Sequence, residues 1–267
     1  MSPSPATPVA LIAGGSSGLG LSAARHLLKR GLTIVVLGRG EDAGRRAAAG
    51  LGTGASFIAG DVASPADVST ALDRVEAAGT LRVVVNCAGI HRPGKTLGRS
   101  GPLPLPEFTE LVTVNLVGAF NLVRLAAARM ATNSPVDGER GVLVLTASAA
   151  AFEGQRGQVG YAAAKAGVVG MTLPLARDLA GYGIRVVTIA PALFDTPMLH
   201  ALPDNVRQSL RGELAYPRTF GDPEHFALLV EHIVDNPMLN GATLRLDGAV
   251  RLPSGLPRAN QPPTPAS

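Results

Sequence analysis

Several residue types are scarce in this chain of 267 residues. It has no tryptophan, a single cysteine (Cys87), and only 4% aromatic and 16% charged residues. One cysteine excludes an internal disulfide and fits a reducing compartment. A low charge content beside 46% hydrophobic residues excludes an intrinsically disordered chain and indicates a large buried core.

Other signals are also missing. No continuous apolar run reaches membrane-spanning length, and the N-terminal MSPSPATP lacks the features of a signal or transit peptide. The formal net charge is +4, but the basic residues are dispersed, which is typical of a solvated surface. The five histidines are scattered, and no carboxylate completes a metal site with them. We therefore expect a cytoplasmic protein that binds neither nucleic acid, membrane nor metal.

Glycine, by contrast, is abundant, with 32 residues that separate short apolar runs from helical stretches. Buried strands that alternate with helices predict a Rossmann-type α/β fold, in which a doubly wound, seven-stranded parallel sheet lies between two helical layers. We expect one domain over residues 9–252, between a disordered tail at 1–8 and a Pro-rich mobile tail at 253–267. The predicted strands are 9–13, 33–37, 56–59, 82–86, 141–146, 185–189 and 243–246, and the predicted helices are 21–30, 40–50, 65–78, 107–132, 159–182, 203–212 and 223–235.

The first predicted strand runs directly into GGSSGLG (14–20), which opens a helix. Glycines there let the backbone approach a phosphate, and the helix N-terminus supplies N–H donors; a plain glycine-rich turn is the alternative. In such sheets, ligands bind beyond the carboxyl ends of the strands. The cofactor-binding candidates at these ends are Gly14, Ser16, Ser17, Gly18, Leu19, Gly20, Arg39, Asp61, Val62, Asn86, Ala88, Gly89, Pro191, Leu193, Phe194 and Thr196.

The end of the second strand bears on the choice of dinucleotide. An acidic residue there would bond a ribose 2′-hydroxyl, whereas an arginine accommodates a 2′-phosphate. This chain has Gly38 where the acid could stand, followed by Arg39. The pair favours NADP(H), with NAD(H) as the alternative and a solvated arginine as the plain interpretation. Asp61, after the third strand, either bonds the adenine edge or belongs to the turn into the next helix.

Catalytic candidates lie in residues 146–165, TASAAAFEGQRGQVGYAAAK. Tyr161 and Lys165 are four residues apart and share a helix face. A nearby ammonium lowers the pKa of a tyrosine from its usual value of about 10. With the Ser148 hydroxyl to hold a substrate oxygen, the set would transfer a proton to or from a carbonyl or alcohol. Taken alone, such a Tyr–Lys pair is more often ordinary helix surface.

Three amides complete the candidate set. Asn115 is flanked by apolar residues in a helix, and it either links to Lys165 through water or packs as a buried amide. Gln155 and Gln158, between Ser148 and Tyr161, are either substrate contacts or turn residues.

The ordered motifs closely resemble those of the short-chain dehydrogenase/reductase family over residues 9–250. The resemblance implies strand order 3-2-1-4-5-6-7, a homotetramer, a small-molecule substrate and a nicotinamide cofactor. It also implies that Tyr161 is the general acid/base, that Lys165 lowers its pKa and binds the nicotinamide ribose, that Ser148 orients the reacting oxygen and that Asn115 completes a proton relay. The motifs are AGGSSGLG (13–20), DV (61–62), NCAG (86–89), Asn115, Ser148, YAAAK (161–165) and PALFDT (191–196).

Residues 146–199, the insertion around 94–106 and residues 236–251 are most similar to family members that interconvert 3-hydroxyacyl-CoA and 3-oxoacyl-CoA. The alternatives are a 3-oxoacyl thioester reductase of fatty-acid or polyester synthesis, a hydroxysteroid-type alcohol dehydrogenase, or a cofactor-binding regulator without activity. The basic loop 91–99 either meets CoA phosphates or is solvated.

Three residues depart from the family's pattern. Ala13 replaces a usual threonine and Ala192 a usual glycine. Gly38 stands where the 3-hydroxyacyl-CoA enzymes, which use NAD, carry an aspartate.

Overall fold

A seven-stranded parallel sheet forms the centre of the computed structural model, which describes residues 7–255. The strand order is β3-β2-β1-β4-β5-β6-β7, so the predicted fold class and order are confirmed. The strands are β1 (Pro8–Ala13), β2 (Thr33–Gly38), β3 (Ala55–Ala59), β4 (Thr80–Asn86), β5 (Gly141–Thr146), β6 (Ile184–Pro191) and β7 (Thr243–Leu246).

Helices cover both faces of this sheet, as the alternation of strands and helices predicted. Side chains of a strand point alternately to its two faces, so Val9 and Leu11 join one apolar layer while Ala10 and Ile12 join the other. The first layer packs on α3, α4 and α5, and the second on α1, α2 and α8. The helices are α1 (Gly18–Lys29), α2 (Glu41–Leu51), α3 (Pro65–Ala78), α4 (Leu105–Met130), α5 (Val159–Ala180), α6 (Pro197–His200), α7 (Asp204–Gly212) and α8 (Pro223–Asp235).

Helix α3 has the predicted bounds, with the Ser64 side chain accepting a hydrogen bond from the Asp67 N–H. Elsewhere the boundaries differ from prediction. Helix α1 begins inside the glycine-rich turn, at Gly18. Helix α4 starts at Leu105 and contains one π-helical turn, Thr113–Val117, which hydrophobic periodicity could not show. The loop before it contains a small hairpin of two two-residue strands.

The predicted tails need correction where they are described. The disordered tail was expected to reach residue 8, but Thr7 O accepts a hydrogen bond from Thr80 N at 2.9 Å and Pro8 opens β1. At the other end, Pro253 and Ser254 accept hydrogen bonds from the Gln155 side chain and the Arg156 N–H. Residues 1–6 and 256–267, the remainder of both predicted tails, lie outside the described residues.

Two helices, α4 and α5, are long and apolar enough to cross a membrane by length and composition, although neither is a continuous apolar run. Both contribute buried side chains to the apolar layer that covers one face of the sheet. We interpret them as core helices of a globular fold, because buried core helices can be equally long and apolar.

Helices α1 and α8 are joined by a histidine between two carboxylates. His26 Nε2 lies 2.6 Å from Glu224 Oε2, and its Nδ1 lies 3.1 Å from Glu231 Oε2. The His26 side chain is only 13% exposed. Its hydrogen bond to Glu224 raises the pKa of His26 above 6.5, although burial opposes the shift.

We expect this contact to stabilise the fold most on the acid side of neutrality. Because the pKa of His26 is higher in the folded than in the unfolded chain, its contribution is complete below the unfolded value and is lost as the pH rises through the folded value. His26→Gln should therefore lower the urea midpoint more at about pH 6 than at about pH 8.5. His225→Gln, on the exposed side of α8, is the control. An equal loss at both pH values would contradict this prediction.

Candidate active site

A cavity of about 410 Å³ opens at the carboxyl ends of β1, β4, β5 and β6. The parallel sheet brings the loops after these strands to one edge, and the first turns of α5 close it from the side. Most residues predicted for the site line this cavity: Gly14, Ser16, Ser17, Gly18, Leu19, Gly20, Ala88, Gly89, Asn115, Ser148, Gln155, Gln158, Tyr161, Lys165, Pro191, Leu193, Phe194 and Thr196.

The other predicted residues lie outside the cavity wall. Arg39 and Asp61 are neighbours beyond β2 and β3, with Arg39 Nη1 3.8 Å from Asp61 Oδ2. Asp61 also accepts a hydrogen bond from the Ala63 N–H, so it forms part of the turn into α3. Val62 is a buried core residue, and the Asn86 side chain accepts from the Ala88 N–H and thereby shapes the turn after β4.

The glycine-rich turn is shaped by close backbone packing. Gly14 and Gly18 have φ angles of 75° and 50°, which favour glycine. A Cβ on Gly20 would lie 2.4 Å from Gly14 O, and one on Gly14 would lie 2.6 Å from Ala88 N. The first turn of α1 carries no acidic residue, and the Ser17 side chain does not cap it. Free N–H groups therefore face the cavity at this end, which fits the pyrophosphate of a dinucleotide.

Ser148, Tyr161 and Lys165 meet on the opposite wall. Lys165 Nζ lies 5.8 Å from the centre of the Tyr161 ring and donates a 2.7 Å hydrogen bond to Thr146 O. Ser148 follows β5 and accepts a hydrogen bond from the Ala150 N–H at 3.1 Å, which fixes its hydroxyl at the cavity. The end of β5 and the helix α5 thus position the three side chains. Rigid elements of this kind keep the geometry of a site precise.

The pKa of Tyr161 is shifted in the direction opposite to our prediction. Burial raises it, and the Ser148 hydroxyl only partly offsets the rise. Burial also lowers the pKa of Lys165 to about 8. The physical reason is that the lysine ammonium is directed at Thr146 O while both groups are withdrawn from water. In the protein alone, Tyr161 therefore carries its proton at neutral pH.

Asn115 lies in the π-helical turn of α4 and is 1% exposed. Its Nδ2 donates to Leu111 O and Ile90 O, and its Oδ1 accepts from the Ile90 N–H. A Cβ on Gly89 would lie 2.6 Å from that oxygen. The amide therefore holds the turn after β4 against α4, which supports the packing interpretation, and the water link to Lys165 stays a prediction.

The glutamines form a small network with a residue that sequence reasoning missed, His91. Its ring meets that of Tyr161 edge-on, with the centres 4.9 Å apart and the planes at 85°. Gln158 Nε2 lies 3.4 Å from His91 Nε2, and Gln155 N donates to Gln158 Oε1 at 2.9 Å. The sequence interpretation placed His91 in a basic loop, although its position two residues after NCAG marked it as a strand-end residue.

Apolar side chains form the outer wall of the cavity. They come from α6, α7, the turn between these helices and the segment after β7, whose Leu252 reaches the same cavity. Cys87 also lines it, but burial raises the pKa of the Cys87 thiol to about 11, so it stays uncharged. The site therefore joins a polar proton-transfer wall to an apolar surface suited to an acyl chain. The outer wall comprises Met198, Leu199, Leu202, Leu210 and Leu252.

Known proteins share this sequence and fold. Residues 8–207 match the family model for short chain dehydrogenases. A "3-hydroxyacyl-CoA dehydrogenase type-2" of Bos taurus is 50% identical over 248 residues, which are 91% of this chain and 95% of the relative, and the protein of that name from Homo sapiens is 48% identical over the same shares. A crystal structure of 3-hydroxyacyl-CoA dehydrogenase type-2 from Mycobacterium avium superposes with a TM-score of 0.89 at 38% identity, covering 92% of this chain and 97% of that one. This chain belongs to the short-chain dehydrogenase family, whose members are NAD(P)-dependent oxidoreductases.

Proposed function

We propose that this oxidoreductase interconverts a 3-hydroxyacyl-CoA and the matching 3-oxoacyl-CoA. The observation that carries the proposal is that Ser148, Tyr161 and Lys165 share one cavity with an apolar outer wall. The similarity to relatives named 3-hydroxyacyl-CoA dehydrogenase type-2, up to 50% identity over nearly the whole chain, supports the same substrate class.

The side chains act on the oxygen of the reacting carbon. In reduction, Ser148 holds the carbonyl oxygen and Tyr161 gives it a proton; in oxidation, Tyr161 takes the hydroxyl proton back. The Lys165 ammonium, 5.8 Å from the ring centre, would stabilise the phenolate that forms in reduction once it turns from Thr146 O. The bound nicotinamide supplies or accepts the hydride. The water link from Asn115 to Lys165 would return the proton from solvent.

A second cavity supports a bulky anionic carrier. It measures about 500 Å³ and lies beside Gln155 and Gln158, which line both cavities. Lys95 and Arg156 line its walls, and two cations beside the substrate cavity suit the phosphates of CoA. The two glutamine side chains lie between the cavities, where the acyl chain and its carrier would meet.

Steady-state kinetics with acetoacetyl-CoA test the substrate class. We expect saturable reduction with a nicotinamide cofactor and a higher kcat/KM than for the acyl-carrier-protein thioester or for a ketosteroid. A higher kcat/KM for either of these substrates would instead favour the thioester-reductase or hydroxysteroid function. Binding of cofactor without turnover of any of them would favour the regulator.

We further propose that NADP(H) is the preferred cofactor. Arg39 is more than half exposed at the end of β2, and its only carboxylate contact in the described residues is the loose 3.8 Å approach to Asp61. No carboxylate stands at Gly38 to repel a 2′-phosphate. A wild-type enzyme that strongly prefers NADH would overturn this proposal.

Replacing Arg39 tests that preference directly. Arg39→Ala should raise the KM for NADPH roughly tenfold or more, because one charge-assisted bond to the phosphate is lost, and should leave the KM for NADH unchanged. Arg45→Ala, at an exposed site on α2, is the matched control. An equal rise with both cofactors would show that Arg39 does not read the phosphate.

We also propose that the chain assembles as a homotetramer and lies in the cytoplasm. Exposed apolar side chains on α4 and α5, namely Val117, Phe120, Val159 and Leu173, suit a homotetramer packed through these helices. Light scattering should then give four times the 27.2 kDa chain mass.

The free thiol of Cys87 suits a cytoplasmic location, which cell fractionation would test.

A further inference from the structure

The orientation of the Gln158 amide determines what its neighbour His91 can do. The Gln155 main-chain N–H is only a donor, so it requires the oxygen of Gln158, which it meets at 2.9 Å. The NH₂ group of Gln158 must then face His91 Nε2 at 3.4 Å. His91 Nε2 can accept this hydrogen bond only while it carries no proton.

We propose that His91 is a pH-sensitive positioning residue of the active site: unprotonated, it accepts from Gln158 and holds the Tyr161 ring, and protonation breaks this arrangement. The proposal rests on the proposed function for its kinetic test. A protonated Nε2 would oppose the Gln158 NH₂ group, donor against donor. If the amide rotated to offer its oxygen to His91, the Gln155 N–H would lose its hydrogen-bond acceptor. Either response disturbs the loop that lines both cavities and the edge-on contact to Tyr161.

The surroundings favour the unprotonated ring at neutral pH. Burial lowers the pKa of His91. The ionisable groups around it are Tyr161, whose ring it meets, Lys165, which lines the same cavity, and Arg92, which pairs with Glu110 on α4 at 2.8 Å. Among these described neighbours no carboxylate is left unpaired to stabilise an imidazolium. Protonation should therefore begin only on the acid side.

The test is the pH profile of acetoacetyl-CoA reduction in two variants. In this direction Tyr161 must be protonated, and its raised pKa keeps it so throughout the acid range. Wild-type kcat/KM should fall by up to about tenfold per pH unit on the acid limb, as expected for one protonation. His91→Asn keeps an acceptor for Gln158, and His91→Phe keeps a ring against Tyr161; neither titrates. Both should lose the acid limb, whatever their activity at neutral pH.

A structural role alone would lower activity without moving the limb, so variants that keep the wild-type acid limb would overturn the proposal. His225→Asn, exposed on α8, should retain the wild-type profile. Wild-type enzyme that does not reduce acetoacetyl-CoA would contradict the proposed function only. The proposal on His91 is then decided by NMR: the Gln158 side-chain amide resonance should shift with the titration of His91, and its failure to shift would overturn the proposal.

Discussion

Replacing Tyr161 with phenylalanine is expected to lower kcat for acetoacetyl-CoA reduction by about 10²- to 10⁴-fold, the range usual for the loss of a general acid. The substitution removes only the hydroxyl. The ring keeps its edge-on contact with His91, and the helix keeps its packing on the sheet. The melting temperature should therefore change little, and dinucleotide binding measured by calorimetry should stay within a few-fold of wild type.

The chain offers a matched control for this change. Tyr182 lies just beyond the far end of α5 and is 52% exposed, so Tyr182→Phe removes the same hydroxyl group at a site remote from the cavity. It should have wild-type kcat. Near-normal turnover by Tyr161→Phe would remove Tyr161 from the acid role and, with it, the mechanism proposed for reduction.

Much of this site could be predicted because one rule covers it. The carboxyl ends of parallel strands meet at one edge, so the glycine-rich turn, Ala88, Ser148 and Thr196 were expected together although they lie far apart in sequence. The family resemblance then supplied roles that geometry alone does not give. The rule was less exact at β2 and β3, where Arg39 and Asp61 lie near each other but beyond the cavity wall.

What could not be predicted depends on contacts that no local pattern encodes. The pKa of Tyr161 depends on how far the ring and Lys165 are withdrawn from water and on where the ammonium points. In the π-helical turn of α4, the Asn115 side chain donates to the main-chain carbonyl of Leu111. His91 gained its place through a glutamine 67 residues away. Each of these three features is a consequence of tertiary packing, so the spacing of residues in the sequence could not predict them.

Arg185 is another residue whose role depends on tertiary contacts. It is the second residue of β6, where the sequence predicted only a strand residue, yet its side chain is 8% exposed. Its guanidinium pairs with Glu139 and donates to four main-chain carbonyls at the end of α8 and just beyond it. Two of them belong to the last turn of α8, the negative end of the helix dipole, so a buried cation is stabilised there. The accepting carbonyls are those of Ile233, Val234, Asn236 and Leu239.

Arg185→Met should lower the free energy of unfolding by roughly 3–5 kcal/mol, the usual loss when one partner of a buried ion pair is removed. Methionine fills much of the volume but donates no hydrogen bond, so Glu139 and the four carbonyls lose their partner. Urea unfolding at one fixed protein concentration measures the change, since self-association shifts apparent stability. Arg177→Met, exposed on α5, should cost no more than about 0.5 kcal/mol. A similar, small loss in both variants would show that the carbonyls at the end of α8 are satisfied without Arg185.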